Sequence, residues 1–146
     1  MAAEWTFLGA GISKDPVPED IFGFTYLITF DDGMKYVGRK QIFMKRRLKP
    51  RKTDRKNAKR IVYREDKHWR SYEGSSDFKG DRVVAAKEIL TICFSKKELT
   101  YEEERELFSR DVLRDDNYLN HSIRNVYFRH DFVLENYSIK GASDDK

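Results

Sequence analysis

The stretch FTYLITFDDGMKYVGR, residues 24–39, decides the fold. Residues 24–30 alternate threonine with larger apolar side chains, the period of a half-buried strand, and residues 34–38 form a second, shorter strand. The turn between them leaves two registers open. A two-residue Asp32-Gly33 loop pairs Asp31 with Met34 and sends Tyr26 and Tyr36 to opposite faces. A three-residue Asp31-Asp32-Gly33 loop pairs Phe30 with Met34 and sets both tyrosines on one face as diagonal neighbours. It also uses Gly33 in the left-handed position such loops need.

Downstream of this hairpin the composition changes abruptly. Residues 39–70 hold 15 Lys or Arg against 3 Asp or Glu, so the remaining chain, with 14 basic and 22 acidic residues, is acidic. A cationic block of this density is the footprint of a protein that grips a phosphate backbone; its bland counterpart is a solvated loop. Apolar periodicity is mostly lost from 39 to 64, where Pro50 interrupts the run, so this part is expected to be a loop or a helix that orders on its ligand.

The 146 residues suit one compact domain. Its expected organisation is an irregular lead-in at 1–21, a domain at 22–135 carrying the basic insert 39–70, and a tail at 136–146. Within the domain, AKEILTICF (86–94) reads as a third strand. Thr100 then opens a helix, because Thr100 and Glu103 have capping-box spacing and acidic residues crowd the first turn. Helical projection puts Tyr101, Phe108 and Val112 on its core side, and Asp115-Asp116-Asn117 ends it. The fold class is therefore α+β, a small three-stranded antiparallel sheet flanked by helices. No apolar run reaches the roughly 18 residues of a membrane span, and the N-terminus lacks signal-peptide character. Cys93 is the single cysteine, which excludes an internal disulfide and suits a cytoplasmic setting. His68, His121 and His130 lack zinc-site spacing. Trp69 and Tyr72 are expected to pack on the sheet, with base stacking as the alternative.

Phe24-Thr25-Tyr26, a spacer of about ten residues, then Lys35-Tyr36-Val37-Gly38 resembles the paired strand motifs of the GIY-YIG nucleases. The first triplet departs from Gly-Ile-Tyr but keeps its tyrosine. Arg46 lies ten residues beyond the second tyrosine, an acidic helix follows the third strand, and Tyr118-Leu119-Asn120 follows the helix. The resemblance covers about residues 22–125. W-R-x-Y-x-G-S-S (69–76) and R-D-V-L-x-D-D-N-Y (110–118) look like a phage-encoded, homing-endonuclease-like branch.

That resemblance implies a metal-dependent DNA endonuclease. Tyr26 would act as general base or position the water, its phenolate favoured by the surrounding cations, and Tyr36 would hydrogen-bond in the same site. Arg46 would clamp the phosphate through its guanidinium, helped by Arg39 and Lys40. One helical glutamate would hold Mg²⁺, with Mn²⁺ able to substitute. Glu106 is the first choice for that ligand, since Glu106-Leu-Phe matches the family's Glu-x-aromatic pattern and stands 14 residues before Asn120. Glu103 is the reserve among Glu102, Glu103, Glu104 and Glu106. Asn120 would brace the site. Lys45, Arg47, Arg51 and Lys52, with Arg39 and Lys40, would grip double-stranded DNA, and a homodimer would allow both strands to be cut. The alternatives are a nucleic-acid-binding protein on the same scaffold without catalysis, and a module whose basic block meets an acidic protein partner.

Overall fold

The computed structural model describes residues 3–12, 20–48, 51–53, 60–66, 68–74 and 79–132, with residues 44–48 and 60–64 as backbone. The expected tail at 136–146, the three prolines, and Ser75 and Ser76 lie outside them.

The hairpin resolves in favour of the three-residue loop. Strand β3 (Gly23–Phe30) pairs antiparallel with β4 (Lys35–Gln41), setting Tyr26 opposite Gly38 and Ile28 opposite Tyr36. The Phe30 N–H donates to the Met34 carbonyl at 2.8 Å, and Gly33 closes the loop at φ 87°, in the left-handed region. Asp32 secures the turn by accepting from the Met34 N–H.

The sheet has five strands rather than the expected three. The supposed irregular lead-in contains β1 (Trp5–Phe7) and β2 (Ala10–Gly11), joined by a turn with positive φ at Leu8 and Gly9. Spatial order is β2-β1-β7-β3-β4, where β7 spans Val84–Cys93. β1 runs parallel to β7, and every other neighbouring pair in the sheet is antiparallel. Strands of three and two residues are too short for alternation to be visible in a sequence. Their reason for existing is Trp5, fully buried against Phe24 and Tyr26, with its indole N–H donating to the Trp69 carbonyl at 2.8 Å.

Both sheet faces are covered, so β3 is buried on both sides instead of half-buried. One face carries Trp5, Phe24, Tyr26, Ile28 and Trp69; the other carries Leu27 and Val37 against Leu107, Val112, Leu113, Tyr118 and Ile123. The second face is roofed by α1 (Lys96–Ser109). This helix starts earlier than expected. Ser95 is its N-cap, accepting from the Glu98 N–H at 3.1 Å, while Glu98 accepts from the Phe94 N–H at 2.9 Å. The inward residues are Leu99 and Leu107, whereas Tyr101 and Phe108 face solvent; of the expected core side only Val112, beyond the helix end, is buried. Leu99, Glu103 and Leu107 repeat every four residues, which places Glu103 on the sheet-facing stripe. The helix ends at Ser109, ahead of the expected stop.

The basic insert is neither a loop nor a helix along its arms. β5 (Phe43–Leu48) and β6 (Arg60–Glu65) form a separate two-stranded antiparallel ribbon. Ile61-Val62-Tyr63 supplies the β-branched and aromatic residues that the surrounding charge obscures in the sequence. Two short strands, β8 (Ser122–Ile123) and β9 (Tyr127–Phe128), close the described chain before a 3₁₀ turn at Arg129–Phe132. No described helix is long and apolar enough to cross a membrane.

If β1 is integral to the core, Trp5→Ala should cost about 3–5 kcal/mol in denaturant unfolding. A loss below about 1 kcal/mol would return residues 5–7 to the status of a dispensable leader.

Candidate active site

The register of β3 and β4 brings the two motif tyrosines together, their ring centroids 6.3 Å apart. Tyr26 reaches over Gly38 toward the sheet edge. A Cβ on Gly38 would fall 2.5 Å from the Tyr26 Oη and 2.6 Å from its Cζ, so the glycine of Tyr-Val-Gly exists to seat the first phenol. Gly74, at φ +87°, approaches the same hydroxyl from the other side, where its Cβ would stand 3.9 Å away.

A third phenol completes the group. Tyr72 shares a hydrogen bond with Tyr26, with ring centroids 5.9 Å apart. Buried Lys87 fixes this segment by donating to the Arg70 and Tyr72 carbonyls at 3.0 Å each while standing over the Trp5 ring. Burial lowers the pKa of that ammonium. Trp69 is core, as expected, and Tyr72 packs against the core while also touching the site.

The electrostatics differ from the expected phenolate. Burial, then the Tyr72 and Tyr36 phenols and the Glu103 carboxylate, hold the Tyr26 phenol far above its ordinary value. Burial, Tyr72 and Glu103 push Tyr36 up to about 12. The cationic surplus of the sequence does not compensate, because the nearest described cations are engaged elsewhere. Lys40 pairs with Asp66 at 2.6 Å and stacks on the Tyr72 ring, and Arg39 lies on the helix side, donating to the Thr100 hydroxyl.

Among the candidate carboxylates, Glu103 is the one whose charge bears on the phenols, and Glu106 has other company. Glu103 carries the charge felt by both Tyr26 and Tyr36, with the Arg39 Nε 3.8 Å away. Burial raises its pKa, and Arg39 only partly offsets this. Glu106 accepts from the Arg110 Nε at 2.8 Å, and Arg105 stands 3.5 Å from it. Glu102 pairs with Arg105 and Glu104 with Arg124. The phenols occupy one sheet face and α1 the other, with edge strand β4 between them. A half-desolvated carboxylate with partial compensation fits a hard divalent cation that keeps water and substrate oxygens as its other ligands. The described residues contain no cluster of three or more His, Cys, Asp or Glu that could act as a self-sufficient cage.

Asn120 is buried and braces β4. The Val37 N–H donates to its Oδ1 at 3.1 Å, and its Nδ2 donates to the Val37 carbonyl at 2.8 Å. Beside it, the Lys35 N–H donates to the Asn117 carbonyl and the Leu119 N–H to the Lys35 carbonyl, each at 2.7 Å. Sequence reasoning missed the residue that holds this segment. Arg129 donates to the carbonyls of Val112, Asp115, Tyr118 and Asn120. Of the expected phosphate ligands, Lys45, Arg46 and Arg47 stand on β5 opposite Tyr63, Val62 and Ile61, and Arg51 and Lys52 are exposed. Cys93 is buried and its thiol pushed up to about 11, the profile of an inert core residue.

Two measurements check this arrangement. Asn120→Leu leaves the Val37 N–H and carbonyl buried without partners and should cost about 2–4 kcal/mol in denaturant unfolding; a neutral effect would contradict the bracing role. The Tyr26 and Tyr36 pKa values are raised from 10.0, so the stability they contribute is present below pH 10 and lost as pH climbs through the folded values. Alkaline titration of phenolate absorbance should show both staying protonated at neutral pH, and Tyr36→Phe should flatten the loss of stability above pH 10. A phenolate from either residue near neutrality would overturn the burial argument.

Comparison with curated proteins and with solved structures gives no match. The family model for the GIY-YIG domain of the endonuclease segE matches residues 5–123, taking in β1, the tyrosine hairpin, α1 and Asn120. The chain belongs to the GIY-YIG nuclease family, in its segE-like branch.

Proposed function

We propose that the protein is a divalent-cation-dependent DNA endonuclease whose phosphodiester site straddles β4 at Gly38. The observation that carries this reading is the convergence of the Tyr26 and Tyr36 rings on one glycine of an edge strand, with the Glu103 carboxylate near enough for its charge to raise both phenols. An edge strand leaves one flank open to a backbone as wide as DNA. A cation held by Glu103 would supply Lewis-acid stabilisation to the phosphate and to the departing oxygen.

The remaining tasks fall to this chain's own groups. Tyr26 keeps its proton and orients the attacking water as a hydrogen-bonding phenol, so it positions and does not act as a base. Tyr36, only half-buried, presents its hydroxyl to the phosphate. Arg39 lies near enough to Glu103 to meet a phosphate oxygen beside it, and a guanidinium stays charged throughout. Arg46, on β5, is the second candidate clamp. Hydrolysis adds the water oxygen to phosphorus, releases the water's proton to solvent and breaks the bond to the leaving oxygen, which takes up a proton from solvent, so positive charge is needed on the side of departure.

Nicking of supercoiled plasmid with Mg²⁺ separates the candidates. Glu103→Gln should reduce nicking at least about 100-fold without lowering the unfolding midpoint, because it removes a poorly compensated buried charge. Glu106→Gln should retain most activity, and Tyr26→Phe should lose it. The reverse ranking of the two glutamates would move the metal site to the Arg110 side of α1. A wild type that binds DNA yet never nicks it under any divalent ion leaves the non-catalytic binding protein as the surviving interpretation.

A further inference from the structure

Apart from Arg46, the β5–β6 ribbon takes no part in the proposed phosphodiester chemistry. Residues 43–65 hold 11 Lys or Arg against Asp54 and Glu65, the densest positive charge in the chain. Lys45, Arg46 and Arg47 on β5, with Arg60 and Arg64 on β6, belong to a paired ribbon with defined register, from Phe43 opposite Glu65 to Leu48 opposite Arg60. Among the described residues it pairs with no strand of the other sheets.

Its base is fastened to the site. β4 runs into β5 through buried Ile42, whose N–H, like that of Phe43, donates to the Phe22 carbonyl. The Gln41 amide donates to the Phe43 carbonyl at 2.7 Å. On the returning strand, the Asp66 N–H donates to the Ile42 carbonyl at 2.6 Å, and Asp66 pairs with Lys40, the cation stacked on Tyr72. Glu65 accepts from the Trp69 indole and the Arg70 guanidinium. Both ends of the ribbon are thus tied to residues that touch the phenol cluster.

The geometry points to this ribbon as an arm that lies in the major groove of duplex DNA and places an adjoining strand against Gly38. Two strands about 4.8 Å apart, with side chains, fit a major groove about 12 Å wide and 8.5 Å deep as it stands, whereas a minor groove about 6 Å wide would have to be widened and the duplex bent to admit them. Six residues per strand extend about 20 Å, close to two-thirds of a helical turn. By register, Arg46 on β5 shares one ribbon face with Arg60 and Arg64 on β6, and guanidinium donors match the guanine O6 and N7 acceptors that this groove displays in a sequence-dependent pattern. Arginine and lysine without a run of aromatics also favour a duplex over a stacked single strand. The inference takes its partner from the nuclease reading, and it adds where recognition resides.

The test is binding of the full-length protein in chelator, without divalent ion, so that it is read apart from cleavage. Selection from a randomised duplex pool should enrich guanine-containing sites. Replacing guanine by 7-deazaguanine in the enriched duplex removes only the N7 acceptor and should weaken wild-type binding by roughly five- to a hundredfold. The Arg60→Gln/Arg64→Gln variant, with an unchanged unfolding midpoint, should lose most of that sensitivity and show a shallower salt dependence. The proposal is overturned if wild type enriches nothing and ignores the 7-deaza substitution, or if a minor-groove ligand displaces it where a major-groove ligand does not. A protein that nicks plasmid but ignores the substitution sinks this inference alone. One that senses the substitution but never nicks sinks the nuclease reading alone.

Discussion

The contact between the Tyr26 phenol and the bare backbone of Gly38 governs the rest of the molecule. It requires the three-residue turn, because slipping the pairing by one residue would move Tyr36 to the other face and set a side chain under Tyr26. Once that register is set, Ile28 and Phe24 join Tyr26 over Trp5 and Trp69, while Leu27 and Val37 turn toward the helix. The same choice of partner residues therefore builds two cores and one site. A buried phenol above a glycine also explains the absence of a ready phenolate, since the packing that positions the hydroxyl removes it from the water that would solvate its charge.

Edge strand β4 would be an unprotected flank without the segment after α1. Asn120 imitates a strand residue with its side-chain amide, giving Val37 one donor and one acceptor, and the backbone around Lys35 is paired by Asn117 and Leu119. Pairing stops there, and Arg39 on the same strand turns instead to Thr100 and Glu103. The edge is closed from Lys35 to Val37, and at Arg39 the strand's side chain turns to the helix.

How much of this was legible in the sequence depended on the range of the forces involved. The hairpin and both tyrosines were visible because turn chemistry and strand alternation are local, and Asn120 was visible only through the family resemblance. The register was open, since both loops satisfy local rules and only burial on both faces of β3 distinguishes them. Helix phase failed for a physical reason. Thr100–Glu103 and Ser95–Glu98 both have capping spacing, and the true cap is decided by where Leu99 and Leu107 meet the sheet. Glu103 was only a reserve choice because pattern matching favoured Glu106, whereas facing direction depends on that phase. Trp5, Lys87 and Arg129 carried no local signal, as their partners are distant in sequence: Trp69 for the first, Arg70 and Tyr72 for the second, and carbonyls across a bend for the third. The ribbon was hidden because charge masked its short β-branched run.

Arg129 gives the fold a direction in time. Its guanidinium gathers four carbonyls from Val112 to Asn120, and it follows every other group of the site in the chain. During synthesis on the ribosome, the tyrosine hairpin, the ribbon and the helix all emerge before this fastening does. Of these groups the one that locks Asn120 onto β4 emerges last, so a nascent chain holds the paired tyrosines and the helix before it holds the clasp that fastens them.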